Sequence, residues 1–136
     1  MKPRRFNLMA LAAGAALFAA AAGYAQFRHD RAEDLRQKAE ALTGGSAKRG
    51  RQAFAAYGCG GCHAVKGVPQ AAGLVGPPLD GIGSRAIIAG RLENKPSNLI
   101  RWIRAPQSVS PGTAMPNLGV SEPRARDIAA FLYTRS

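Results

Sequence analysis

The chain has 136 residues, room for one small domain with a leader or tail and too few for a multidomain enzyme. Nineteen Lys and Arg against eight Asp and Glu give a net charge of +11. Only two cysteines occur, Cys59 and Cys62, which excludes a disulfide-rich scaffold and a zinc site made of cysteine alone. The hydrophobic share of 46% overstates the core, because much of it is an alanine-rich N-terminus.

Lys2, Arg4 and Arg5 give that N-terminus a basic start. The 22 residues from Phe6 to Phe27 carry no charge. Gly23-Tyr24-Ala25 places small residues where a signal peptidase reads, so residues 1–25 fit a signal peptide cut after Ala25. The apolar run, residues 6–27, is also long enough to stay as a membrane anchor. Both readings place the remainder in the periplasm, soluble or tethered to the outer face of the inner membrane, and the basic flank agrees with that orientation. Removing three basic residues from +11 leaves +8 on the mature chain.

Residues 26–45 read as a charged spacer. Ala32, Leu35, Ala39 and Leu42 recur at helical intervals but make a thin apolar face, so a marginal helix is expected, ended by Gly44-Gly45. The domain proper takes residues 46–136. Ser46 suits the N-cap of a helix over Ala47–Tyr57. Residues 64–94 are rich in Gly and Pro and read as loop. Pro96 suits the start of a second helix whose apolar body is Leu99, Ile100, Trp102 and Ile103, with Pro106 limiting it. Gln107–Val120 reads as loop again. Ser121 suits the cap of a last helix, in which Ile128, Phe131 and Leu132 share one face. Three helices separated by loops this long make an all-α core too small to hold itself together. Something else must fill its centre.

Cys59-x-x-Cys62-His63 is the attachment signature of c-type haem. Two thiols one short turn apart can each add to a vinyl group on the same porphyrin edge, and the histidine after the second thiol then falls beneath the iron. A thioredoxin-like dithiol would want a βαβ context, which is absent. A structural zinc would need further ligands, and His29 in the spacer is the other histidine. With His63 as proximal iron ligand, Met, His or an open position are the options for the other side. Outside the leader there is one methionine, Met115, framed by Pro111 and Pro116 and 52 residues after His63. Thioether ligation would raise the reduction potential and close the iron to substrate. The expected activity is one-electron transfer rather than catalysis, with one covalent haem c as cofactor.

These residues resemble class I cytochromes c over residues 47–136. The haem motif stands near the domain's N-terminus, unlike in the four-helix cytochromes c-prime. The resemblance implies a small all-α fold of three main helices and long loops around one haem. It implies that Gly50 and Phe54 on the first helix meet Ile128 and Phe131 on the last. It implies that the Pro77 carbonyl accepts a hydrogen bond from His63, that Arg85 pairs with a haem propionate, and that Trp102 lies beside the methionine sulfur. Two features depart from mitochondrial members: one extra residue precedes Cys59, and Asn94 lies near the place of a propionate-binding tryptophan. Asn98-Leu99-Ile100-Arg101-Trp102 through Met115 is most similar to cytochrome c domains fused to subunit II of bacterial haem–copper oxidases.

The implied partners are redox proteins. A terminal haem–copper oxidase is the first reading and a periplasmic dehydrogenase the alternative; an open-site haem enzyme or gas sensor is a third reading that Met115 opposes. Nucleic-acid binding, the generic reading of the charge, does not fit an exported chain. Lys48, Lys66 and Lys95 with the arginines suit steering toward an acidic patch on a partner, Lys66 first because of its nearness to His63.

Overall fold

The computed structural model describes residues 4–135, with side-chain surroundings from residue 8 onward. Its helices are α1 (Arg4–Thr43), α2 (Ala47–Ala56), α3 (Pro96–Arg104), α4 (Pro106–Val109) and α5 (Glu122–Tyr133). A two-residue antiparallel ladder, β1 (Ile87–Ile88) with β2 (Leu92–Glu93), is the sheet among the described residues. The architecture is all-α. The chain divides into two compact units, residues up to Asp34 and residues from Leu35 onward. The first is carried by α1, which includes a stretch long and apolar enough to cross a membrane by length and composition, none of it buried within the chain.

The second unit starts earlier than Ser46. Where a marginal helix is expected, α1 continues to Thr43 and buries Ala39 and Thr43 at 2% and 1% exposure. Small residues four apart bring this turn close to its neighbours, and they make only a faint hydrophobic signal. Thr43 Oγ1 donates to the Ala39 carbonyl, and the Arg126 guanidinium donates to the Thr43 carbonyl at 3.1 Å. Gly44 turns the chain with φ +67°. Glu40 then accepts the Ala47 N–H at 2.9 Å, covering one of the free donors at the start of α2.

Ser46 caps α2 through its side chain, which accepts from Arg49 N–H. Ser121 stands at the N-cap position of α5, but its side chain makes no capping bond. Pro123 in the first turn compensates, since it removes one of the donors that a cap would serve. Past Pro106 the chain makes the single helical turn α4 where loop is expected, because proline is well suited to open a helix and Ser110 N–H closes on the Pro106 carbonyl at 2.8 Å.

Packing of α2 on α5 builds the frame. A Cβ added to Gly50 would overlap the Asp127 carbonyl and lie 2.8 Å from Phe131 Cβ, so the two backbones meet at that residue. Phe54 and Phe131 pack with ring centroids 5.6 Å apart and planes at 59°, an edge-to-face type of contact. Ile128 is buried with them. Asp127 is a buried carboxylate that ties the two helices. It accepts Ser46 N–H at 2.7 Å and two bonds from Arg49 at 2.9 and 3.1 Å.

Candidate functional site

A cavity of about 540 Å³ occupies the centre of this unit. Its walls are apolar, with Phe54, Leu79, Ile82, Leu99, Ile103 and Leu132 among them. Cys59, Cys62, His63, Pro77, Arg85, Trp102 and Met115 all line it as well. Side chains around a hollow that large lack packing partners on one side. The fold therefore suits a large apolar group there.

Local backbone order places the motif. Gly58, with φ +68°, ends α2, and a short 3-10 turn over Cys59–Gly61 follows. His63 N–H closes on the Cys59 carbonyl at 3.0 Å, so both thiols and the imidazole belong to one turn. The loop beyond folds back on that turn: Gly73 N–H donates to the Gly60 carbonyl at 3.0 Å and Gly76 N–H to the Cys62 carbonyl at 2.8 Å.

That return brings Pro77 to the imidazole. His63 Nδ1 lies 2.8 Å from the Pro77 carbonyl oxygen. A carbonyl can only accept, so Nδ1 carries a proton, and in the neutral ring Nε2 is left with the lone pair that a metal requires. The bond to Pro77 fixes the ring's orientation. Burial pushes the Cys59 thiol up to about 11. At neutral pH Cys59 is therefore a protonated thiol. Among the described residues no group of three or more His, Cys, Asp or Glu could hold a metal ion, which leaves zinc without a ligand set. Soft thioether and imidazole around an apolar slot fit haem iron instead.

Arg85 follows a short 3-10 turn over Ile82–Ser84. Its Nη2 donates to the Pro78 and Asp80 carbonyls at 2.6 and 3.1 Å, which holds a guanidinium at the cavity wall. Asn94 fixes that stretch from behind, donating through Nδ2 to the Ile82 and Arg85 carbonyls at 2.7 and 2.8 Å. The Tyr133 hydroxyl donates to Asn94 Oδ1 at 2.9 Å, tying the network to α5. Lys66 is exposed and does not line the cavity; its N–H bonds the Asp80 carboxylate.

Met115 is half-buried on a loop whose backbone is held by Gln107. Sequence reasoning assigned no role to Gln107 or Gly76. The signals were an amide side chain directly before a proline-framed loop and a glycine beside a loop proline. Both are faint without the contacts.

The family model for cytochrome c matches residues 47–136. The chain is 45% identical over 84 residues to cytochrome c oxidase subunit 2 of Alkalihalophilus pseudofirmus, covering 62% of this chain and 24% of that protein. It is 40% identical over 80 residues to the subunit 2 of Bacillus sp. strain PS3, covering 57% and 22%. It is 34% identical over 85 residues to that of Bacillus subtilis, covering 58% and 24%. The matched stretch thus spans about a quarter of the length of these relatives. No solved structure matches the chain significantly. A family match over 90 residues, on a domain built around Cys59-x-x-Cys62-His63 and a large apolar cavity, makes the chain a member of the cytochrome c family.

Proposed function

We propose that the chain is an exported, membrane-associated monohaem electron carrier with His63 and Met115 as axial ligands, serving a haem–copper oxidase. The observation that carries it is the convergence of two thiols, an imidazole with its Nδ1 committed to Pro77, and the single thioether of the globular domain on one apolar cavity. Haem bound there supplies a single-electron Fe(II)/Fe(III) couple.

The residues divide the remaining work. Cys59 and Cys62 would hold the group by thioethers, so that it cannot be lost outside the cytoplasm. His63 presents Nε2 in a fixed orientation because Pro77 holds the opposite nitrogen. Met115 would supply a thioether ligand to the iron, favour the reduced state and exclude substrate. The largely apolar walls would limit the water around the group, and with it the solvent reorganisation on electron transfer. Arg85, already anchored by two carbonyls, offers its remaining donors to a propionate. Export is supported by the basic start and the apolar part of α1. The oxidase is supported by the names of the relatives.

Visible spectra of the haem-loaded chain test the reading. The wild type should show the weak far-red band of sulfur-ligated ferric iron, and Met115→Ala should lose it. A high-spin wild type indifferent to the substitution would overturn the carrier assignment and point to an open iron site.

A further inference from the structure

The side-chain amide of Gln107 grips the Met115 loop at three points. Nε2 donates to the Thr113 carbonyl at 2.7 Å and to the Met115 carbonyl at 2.8 Å. Oε1 accepts the Gly112 N–H at 3.1 Å. The amide orientation follows from these partners, since two carbonyls need donors and an N–H needs an acceptor. Gln107 is itself fixed as the second residue of α4, behind Pro106, which is among the most completely buried side chains of the chain. Its N–H points to Asn117 Oδ1 at 3.4 Å, on the far side of the same loop.

Among the described residues, the only other hydrogen bond on the backbone of residues 112–115 is Thr113 N–H to the Ser110 carbonyl, at 3.1 Å. The segment has no helix or strand of its own. Gly112, with φ +81°, opens the segment in the left-handed region that glycine adopts freely. One half-buried amide thus supplies most of the order of the segment carrying the thioether. Gln107 does not line the cavity.

We infer that Gln107 is the positioning residue of the methionine loop: its amide holds the Met115 thioether in the cavity, so that sulfur outcompetes outside ligands. The inference rests on the axial role proposed for Met115. A loop released from Gln107 spends more time with its sulfur withdrawn. The apparent affinity of a competing ligand rises in proportion to that open fraction.

The test uses the full haem-loaded chain as wild type, Gln107→Leu, Gln107→Glu, Met115→Ala and the double variant Gln107→Leu/Met115→Ala, with imidazole as the competing ligand. Gln107→Leu keeps the shape and removes all three bonds. Gln107→Glu keeps the acceptor for Gly112 and loses both donors, and it carries the same test should the leucine variant fold poorly. Either variant should bind imidazole at least about tenfold tighter than wild type, the yield of losing two or three hydrogen bonds at the low end of their ordinary strength. Each should also lose the far-red band at a lower temperature than wild type, while the helical signal melts where it did. In the Met115→Ala background the leucine substitution should change imidazole binding no further. Wild-type binding and band loss in both Gln107 variants would overturn the inference, as would an effect that persists without Met115. A wild type that binds imidazole like Met115→Ala would instead remove the axial assignment on which it rests.

Discussion

The α-carbon of Gly76 lies against the imidazole of His63, so close that a Cβ there would stand 2.6 Å from Nδ1 and 2.8 Å from Nε2. The ring is thus clasped between a carbonyl at its edge and a glycine at its face. Gly76→Ala should displace the imidazole and break its bond to Pro77. The expected outcome is a lower yield of haem-loaded protein and a reduction potential above wild type, because a ligating imidazole stripped of that bond donates less charge and stabilises ferric iron less. Potentiometry and haem staining of the purified variant check both. An unchanged potential at full loading would show that the ring can move without cost.

Gly50 poses the same kind of test for stability. The alanine variant would press a methyl group into the backbone of Asp127 and against Phe131, where no flexible side-chain end can yield. Overpacking at such a contact costs about 1–3 kcal/mol. Phe54→Ala opens a hole in the same contact, at about 3–5 kcal/mol. Denaturant melts of the haem-loaded protein should rank wild type, Gly50→Ala and Phe54→Ala in that order.

The contrast between these glycines and the haem motif shows what a sequence displays. Cys59, Cys62 and His63 are contiguous, so their shared turn is visible in the string itself. Ser46 and Pro96 mark helix starts for equally local reasons, and the structure starts α2 at Ala47, next to Ser46, and α3 at Pro96 itself. Gly76, Gln107 and Asp127 act across 13, 8 and 81 residues to His63, Met115 and Ser46. Nothing in their immediate neighbours announces the partner. Asp127 is further disguised by Arg124 and Arg126, which make its stretch read as a solvated face. The last turns of α1 were half hidden: Ala39 belongs to a thin apolar stripe and Thr43 to none, although small residues are what close packing there requires.

Asp127 gives a prediction in pH. Burial pushes its carboxyl up, but the bonds from Arg49 and Ser46 N–H, with Arg124 nearby, outweigh burial and hold it below the usual carboxylate range. A depressed folded-state pKa stabilises the fold above the unfolded value of about 3.9, and that stability is lost as pH falls below it. Asp127→Asn keeps an acceptor for Ser46 and removes the charge. At pH 7 it should cost about 1–2 kcal/mol, a figure limited by the solvent exposure of Arg49. Between about pH 5 and 3 the variant should lose less stability than wild type. Melting curves across that range check the sign: a wild-type slope in the variant would mean that other carboxylates carry the acid dependence.

Charge steering supplies the last prediction, and the structure narrows which cations take part. Arg49, Lys95, Arg104 and Arg126 each have a carboxylate within ion-pair distance, so their fields are partly cancelled locally. Arg85 stands at the cavity wall, where a redox partner must come close for rapid electron transfer. Lys66 is exposed with its N–H, but no ion pair among the described residues, on Asp80. If the excess positive charge guides an acidic partner, electron transfer to an oxidase fragment bearing acidic surface residues should slow by about tenfold between 10 and 150 mM salt, as the Debye length shrinks from ~30 to ~8 Å. Lys66→Glu should lower the low-salt rate and flatten that dependence, with little effect at high salt, while leaving the spectrum unchanged. A rate independent of salt in the wild type would assign the charge to solubility alone, because an unscreened encounter is the one step that steering can accelerate.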